Sequence, residues 1–229
     1  MDSVTLITRP RRFGKTLTIS MLERFFSIQY YNESAIFEHL DIWKYPEYRE
    51  IMGTYPAMER GLMTGITRVS KESIFSDLNN MEVVTTTSVK YADVYGFTED
   101  EVFSALDEYG LSDIKDKVKR WYDGFLFGNS KDIYNPWSII NLLDKKQLGT
   151  YWANTSANGL IAKLIQEGDR NIKQLFETLL KGESIVCEID EQIIYNQLSI
   201  NDNAIWSLLL ASGYLTVVNY IGYGEAKRG

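Results

Sequence analysis

The sequence predicts an α/β N-terminal half followed by an α-rich C-terminal half, and three observations predict it. Val4-Thr5-Leu6-Ile7 is a short apolar run suited to a buried parallel strand, and it leads through a glycine-containing turn into an apolar helix. From about Gly96 onward the texture becomes helical, opening on a capping box at Thr98-Glu99-Asp100-Glu101. The chain has 229 residues, 45% of them hydrophobic, which is enough for one sizeable domain or two small ones. The change of texture divides it into residues 1–95 and 96–229.

Each element follows from its local chemistry. Thr16 to Ile28 reads as a helix because Leu17, Met21, Leu22 and Phe25 fall at helical spacing, with Ile19 and Phe26 widening that face. Asn32 to Trp43 predicts a short helix with Ile36, Phe37 and Leu40 on one side, and Lys44 to Glu59 reads as irregular. Gly61 to Ile66 predicts a second short strand, and Val83 to Thr87 is β-rich. The helix capped by Thr98 is expected to run to about Tyr109, where Gly110 stops it. Ser112 to Trp121 is a further helix. Asn135-Pro136 opens another, with asparagine as N-cap and proline at the first helical position. Helices also fit Ala157 to Gln166, Asn171 to Leu180 and Ala204 to Ala211, and Tyr214 to Ile221 alternates like a final strand.

Composition excludes several classes. A net charge of −7 argues against a broad nucleic-acid surface. No apolar run is long enough to cross a bilayer, and the N-terminus lacks a secretory pattern, so a cytoplasmic location is the default. The single cysteine, Cys187, excludes an internal disulfide, and the single histidine, His39, leaves no thiolate–imidazole zinc set. One local exception to the acidic balance stands out. Arg9, Arg11, Arg12 and Lys15 lie within seven residues, on the segment that joins the first strand to the first helix.

That segment, Arg9-Pro10-Arg11-Arg12-Phe13-Gly14-Lys15-Thr16, ends like a phosphate-binding (Walker A) loop, G-x-x-x-x-G-K-[ST]. In such a loop, backbone N–H groups and the helix N-terminus cradle phosphates, the lysine ammonium reaches the outer phosphates and the hydroxyl ligates Mg²⁺. Gly14 suits a backbone that must approach its ligand closely. Arg9 stands where the first glycine belongs. Pro10 biases it to an extended conformation, so it ends the strand, and Arg11 and Arg12 are left to project toward an anion or to pair with acids.

Hydrolysis also needs an acid at the end of a neighbouring apolar strand to hold the metal, and no good case exists. Ile185 to Glu191 has acids interrupting its apolar run, and its alternation fits a half-buried strand. Asp144 reads as the last turn of a proline-started helix. Glu225-Ala226-Lys227 resembles a nuclease fragment but lacks a preceding acid on a strand. The aromatic stretch Trp121 to Trp137 fits core packing around a loop better than base stacking.

Five blocks then occur in order: RPRRFGKT (Arg9 to Thr16), TGITRVSKESIFSDLNN (Thr64 to Asn80), WYDGFLFG with IYNPWS (Trp121 to Ser138), YWANTS (Tyr151 to Ser156) and WSLLLASGYL (Trp206 to Leu215). Together they resemble the bacterial AAA-ATPase-like family, whose members often carry a PD-(D/E)XK-type nuclease domain after the ATPase region. The resemblance implies an incomplete P-loop NTPase (AAA-like) core followed by an α-rich lid region, with a winged-helix-like form as one option. It implies that the arginine-opened loop is the family's own version. Its ligands would be ATP and Mg²⁺, with Arg11, Arg12, Phe13, Gly14, Lys15 and Thr16 at the phosphates and Thr16 on the metal. Thr64, or Asn79 and Asn80, would lie near a sensor position by the γ-phosphate, with Arg68 as a further candidate. Nucleic acid enters as a partner only through the family's association with a nuclease domain.

The chain also departs from the family's pattern. Pro56-Ala57-Met58-Glu59-Arg60 joins two blocks that a long stretch normally separates, a stretch that holds core strands and an acidic metal-holding motif. The expectation is therefore an internally shortened member whose sheet has unpaired edges and whose first helix lacks part of its partner surface. ATP binding would persist, with Lys15 as the catalytic cation, while an ATPase activity inherited by resemblance would lack its acid. The rival expectation is a non-catalytic helical interaction module for a protein or nucleic acid.

Overall fold

The structure, a computed structural model, describes residues 4–54, 61–66, 81–122, 124–152, 166, 168–190 and 202–221. Its centre is a parallel three-stranded sheet in the order β2-β1-β3, formed by β1 (Val4–Thr8), β2 (Gly61–Gly65) and β3 (Met81–Val84). The register places Ile7 between Thr64 and Val84, and Thr8 beside Gly65. β1 is thus covered on both edges, and its last three residues, Leu6, Ile7 and Thr8, are buried. Among the described residues β2 and β3 each have one paired edge.

The turn after β1 leads into α1 (Lys15–Phe26). The apolar face read from the sequence is present but little of it is covered. Phe25 is buried, whereas Leu17 is 64% exposed, and Met21, Leu22 and Phe26 also remain open. Three described strands offer too narrow a surface to cover a twelve-residue helix. Asn32 to Trp43 is not one helix. It forms two separate 3₁₀ turns, Ser34–Ile36 and Asp41–Lys44. Phe37 is buried edge-on against Phe25 at 5.1 Å, with Met52 in the same cluster, while Ile36 and Leu40 stay exposed. The stretch read as irregular contains α2 (Pro46–Ile51), which starts on proline at a position where no N–H is needed.

The second half is built of α3 (Glu99–Glu108), α4 (Lys115–Tyr122), a hairpin of β4 (Phe125–Phe127) and β5 (Ser130–Ile133), α5 (Pro136–Lys145), α6 (Arg170–Leu180) and α7 (Asp202–Ser212). The capping box closes as read. Glu101 N–H donates to the Thr98 hydroxyl at 3.4 Å, and the Glu101 carboxylate accepts from Thr98 N–H at 2.8 Å. Asn135 caps α5 by accepting from Ser138 N–H at 3.2 Å, and Asp169 caps α6 by accepting from Ile172 N–H at 2.8 Å. Two strand readings fail. Tyr214 to Ile221 is irregular, following Gly213 at φ 87°. Ile185 to Asp190 pairs with no strand among the described residues, though its alternation is real. Ile185, Cys187 and Ile189 pack on the cluster of Ile172, Ile205, Trp206 and Leu209 beneath α6 and α7. The Ala157–Gln166 helix lies almost wholly outside the described residues.

The core that positions the site draws on both halves of the chain. Ile7, Phe13, Val84, Ala92 and Tyr95 cluster with Phe127 and Ile133 of the hairpin. A second cluster, with Val102, Leu106, Val118, Tyr134, Ile139 and Leu142, joins α3, α4 and α5. No helix among the described residues is long and apolar enough to cross a membrane.

Candidate functional site

The loop between β1 and α1 is fixed residue by residue. Arg9 continues the sheet, since its N–H donates to Gly65 O at 3.1 Å. It ends the strand as expected, and its side chain is fully buried. Nη1 donates to the carbonyls of Thr8 and Thr85, both at 2.8 Å, and Nη2 donates to Tyr91 O at 2.6 Å. The guanidinium lies 4.7 Å from the centre of the Phe127 ring. Burial pushes its pKa down to about 10, opposed by the fields of Tyr95 and Asp93.

Pro10 packs so closely on α7's end that a Cβ on Gly213 would stand 2.8 Å from Pro10 Cβ. The carbonyl of Arg11 accepts from Asn135 Nδ2 and from Trp152 Nε1, each at 3.2 Å. Arg12 takes a left-handed backbone, φ 66°, and its exposed guanidinium lies 4.8 Å over the Trp137 ring. Phe13 is 1% exposed, edge-on to Phe125 at 5.0 Å and to Phe127 at 5.4 Å. Its side chain is therefore a core anchor, and only its backbone is left to meet a ligand. Asn135 and Trp152 also border an aromatic cleft of about 270 Å³ behind the loop, with Trp121, Tyr122 and Tyr151.

Gly14, at φ 76°, turns the chain into α1, and its carbonyl accepts from Thr18 N–H at 3.0 Å and from the Thr18 hydroxyl at 3.2 Å. A Cβ at Gly14 would meet nothing within 4 Å. This glycine faces open space. Lys15 folds back over the loop, donating from Nζ to Arg9 O at 2.9 Å and to Pro10 O at 2.7 Å. No carboxylate among the described residues pairs with it. Burial, then the fields of Arg11 and Arg9, push its pKa down to about 8. Thr16 is exposed in the first turn of α1, which contains no acid to compete for the helix's positive end.

Of the more distant candidates, Thr64 lies on β2 beside Ile7, one residue from the strand's end. Arg68, Asn79 and Asn80 lie outside the described residues. Among the described residues no group of three or more His, Cys, Asp or Glu side chains could hold a metal ion. Sequence reasoning missed the inward course of Arg9 and the grip of Trp137 and Trp152 on the loop. The signal available for the tryptophans was their place in the IYNPWS and YWANTS blocks.

Comparison with known proteins agrees with the resemblance. The sequence model of the AAA-ATPase-like family, described as predicted AAA-ATPase, matches residues 1–60, a span that contains β1, the loop and α1 and ends at Arg60 of the unusual join. An uncharacterized protein in the vnfD 5′ region of Azotobacter chroococcum mcd 1 is 25% identical over 158 residues. That alignment covers 68% of this chain and 28% of the relative, so the chain spans less than a third of the relative's length. No solved structure matches.

Proposed function

From a chain whose first 60 residues match the AAA-ATPase-like family, we propose a protein that binds ATP with Mg²⁺ at the loop running from Arg9 to Thr16, on an AAA-like P-loop core. One observation carries this reading. A half-buried ammonium, that of Lys15, rests among the described residues on two main-chain carbonyls beside two further cations, and the glycine before it faces open space. For a merely structural turn this arrangement is costly, because it desolvates a cation with no ion pair among the described residues. An entering phosphate supplies the missing negative charge and the acceptors for the N–H groups at the start of α1.

The residues fit such a ligand. On this reading the backbone of Phe13 and Gly14 and the N-terminus of α1 would line the approach, Arg11 and Arg12 would flank it, and the Thr16 hydroxyl would hold the metal. Thr64 stands one residue before the end of the adjacent strand, and Arg68, Asn79 and Asn80 belong to the same proposal on the resemblance alone. When bound, Mg²⁺ would spread charge over the outer phosphates. Hydrolysis is a separate matter, because no described acid or base is assigned to the water. The expectation is binding with slow or no turnover, in a protein shortened between its β1–α1 unit and β2. An ordinary Mg²⁺-dependent ATPase rate would refute that shortening as functionally important.

The direct test is equilibrium binding of ATP, with and without Mg²⁺, to this chain and to Lys15→Ala. Binding that the variant abolishes supports the reading; binding that survives it, or none in either protein, overturns it. A second reading, a non-catalytic interaction module, draws on the open apolar face of Leu17, Met21 and Leu22. It predicts that Lys15→Ala is silent in every binding assay.

A further inference from the structure

An arginine is a costly residue with which merely to end a strand, since burying its charge needs several partners at once. Arg9 finds them in three carbonyls and a ring face, with no ion pair among the described residues, and its Nε still lacks a partner, as does the neighbouring buried Tyr95 hydroxyl. What this arrangement holds is the backbone of Arg9 itself. The side chain ties it to the exit of β3 and to the hairpin, while its N–H ties it to the end of β2. The carbonyl of the same residue, with that of Pro10, receives the Lys15 ammonium.

We propose that Arg9 is a positioning residue for the phosphate loop: its buried guanidinium pins the two carbonyls on which Lys15 rests, and thereby fixes where the ammonium stands when an anion arrives. The inference rests on the reading of the loop as a phosphate site. Arg9 does not reach the ligand. It replaces the loop's usual first glycine with a side chain directed into the core, so the ligand side stays clear. Lys15, whose four-carbon stem would otherwise sample many rotamers, is held over the loop and exchanges two carbonyl acceptors for anion oxygens.

The experiment is titration calorimetry of inorganic tripolyphosphate and of ATP against the full chain, Lys15→Ala, Arg9→Met, Arg9→Lys and Phe127→Leu at neutral pH, with thermal melting of each variant. Arg9→Met should weaken binding by roughly tenfold or more, or ~1.4 kcal/mol, and Arg9→Lys, which keeps a cationic donor, should recover part of it. Phe127→Leu, which removes the ring beneath the guanidinium and its edge contact with Phe13, should weaken binding in the same direction and less. A residue that merely stabilises the fold would lower the melting temperature and leave the affinity of the folded protein in place. A folded Arg9→Met with wild-type affinity overturns the proposal. If Arg9→Met does not fold, Arg9→Lys and Phe127→Leu decide by affinity against melting temperature. A wild type that binds neither anion refutes the phosphate reading and this inference together, whereas binding insensitive to Arg9 refutes this inference alone.

Discussion

Replacing Gly14 by alanine separates a ligand loop from a structural turn. Gly14 sits at φ 76°, in the left-handed region, and its added Cβ would meet no atom within 4 Å. No clash therefore adds to the conformational cost, which for a non-glycine residue there is about 1–2 kcal/mol. In a protein of this size each kcal/mol lowers the melting temperature by about 2–4 °C, so the variant should stay folded and melt ~2–8 °C lower. Gly182, at φ 80° after α6 and likewise with nothing within 4 Å, supplies the matched control. Gly182→Ala should lose the same stability and no affinity. Gly14→Ala should in addition lose ATP and tripolyphosphate binding by about tenfold or more, or ~1.4 kcal/mol, because the methyl group enters the space the anion requires. Scanning fluorimetry and titration calorimetry on the two variants provide both numbers. Equal melting shifts with unchanged affinity for both would refute the loop as a phosphate cradle.

Three further outcomes follow from the same geometry. Lys15 is pushed down to about 8 from 10.5, chiefly by burial, so between those pH values the unfolded chain binds the extra proton. Wild-type stability should therefore rise with pH across that window relative to Lys15→Met, and chemical denaturation series showing it fall would refute the assignment. Gly213→Ala would set a methyl group 2.8 Å from Pro10 Cβ on top of a positive φ of 87°. Its unfolding free energy should drop by more than the roughly 1–2 kcal/mol of Gly182→Ala, and equal drops would show that the Pro10 contact is not tight. Thr98→Ala removes one half of the α3 capping box and should cost about 1 kcal/mol by urea unfolding. No loss there would mean that the tertiary contacts of α3 alone hold its first turn.

How far the sequence could be read depended on whether a residue's partners were local. The α3 cap, the proline-started α5 and the strand–turn–helix around Gly14 are settled by residues three or four apart, and they form as expected. The β4–β5 hairpin escaped because Phe125-Leu126-Phe127 is three residues long and its register shifts between Phe125 and Phe127, too short for a period to show. Tyr214 to Ile221 has the alternation of a strand, but among the described residues it pairs with none, and alternation alone does not make a strand. The apolar stripe on α1 was legible, yet its coverage depends on strands elsewhere in the chain. Arg9 was the hardest residue to place. Its place at the end of β1 was legible from Pro10, but its acceptors Thr85 and Tyr91 lie 76 and 82 residues away, and nothing local points its side chain to those carbonyls.

The same distances bear on how the two halves divide their work. From Pro10 to Phe13 every residue of the loop touches a residue beyond position 120: Pro10 meets Gly213, Arg11 meets Asn135 and Trp152, Arg12 meets Trp137, and Phe13 meets Phe125 and Phe127. The β1–α1 unit supplies the types that would contact an anion, but the later elements set their conformation. A change of sequence texture near Gly96 therefore does not mark where the loop's support ends. Gly96 itself lies inside that support, since a Cβ there would stand 2.5 Å from Ile133 and 3.2 Å from the ring of Phe13. An anion drawing Lys15 off the Arg9 and Pro10 carbonyls would change the load on the residue packed against α7's end and on the one packed against the hairpin. Any motion of the loop must therefore be shared with the helical half.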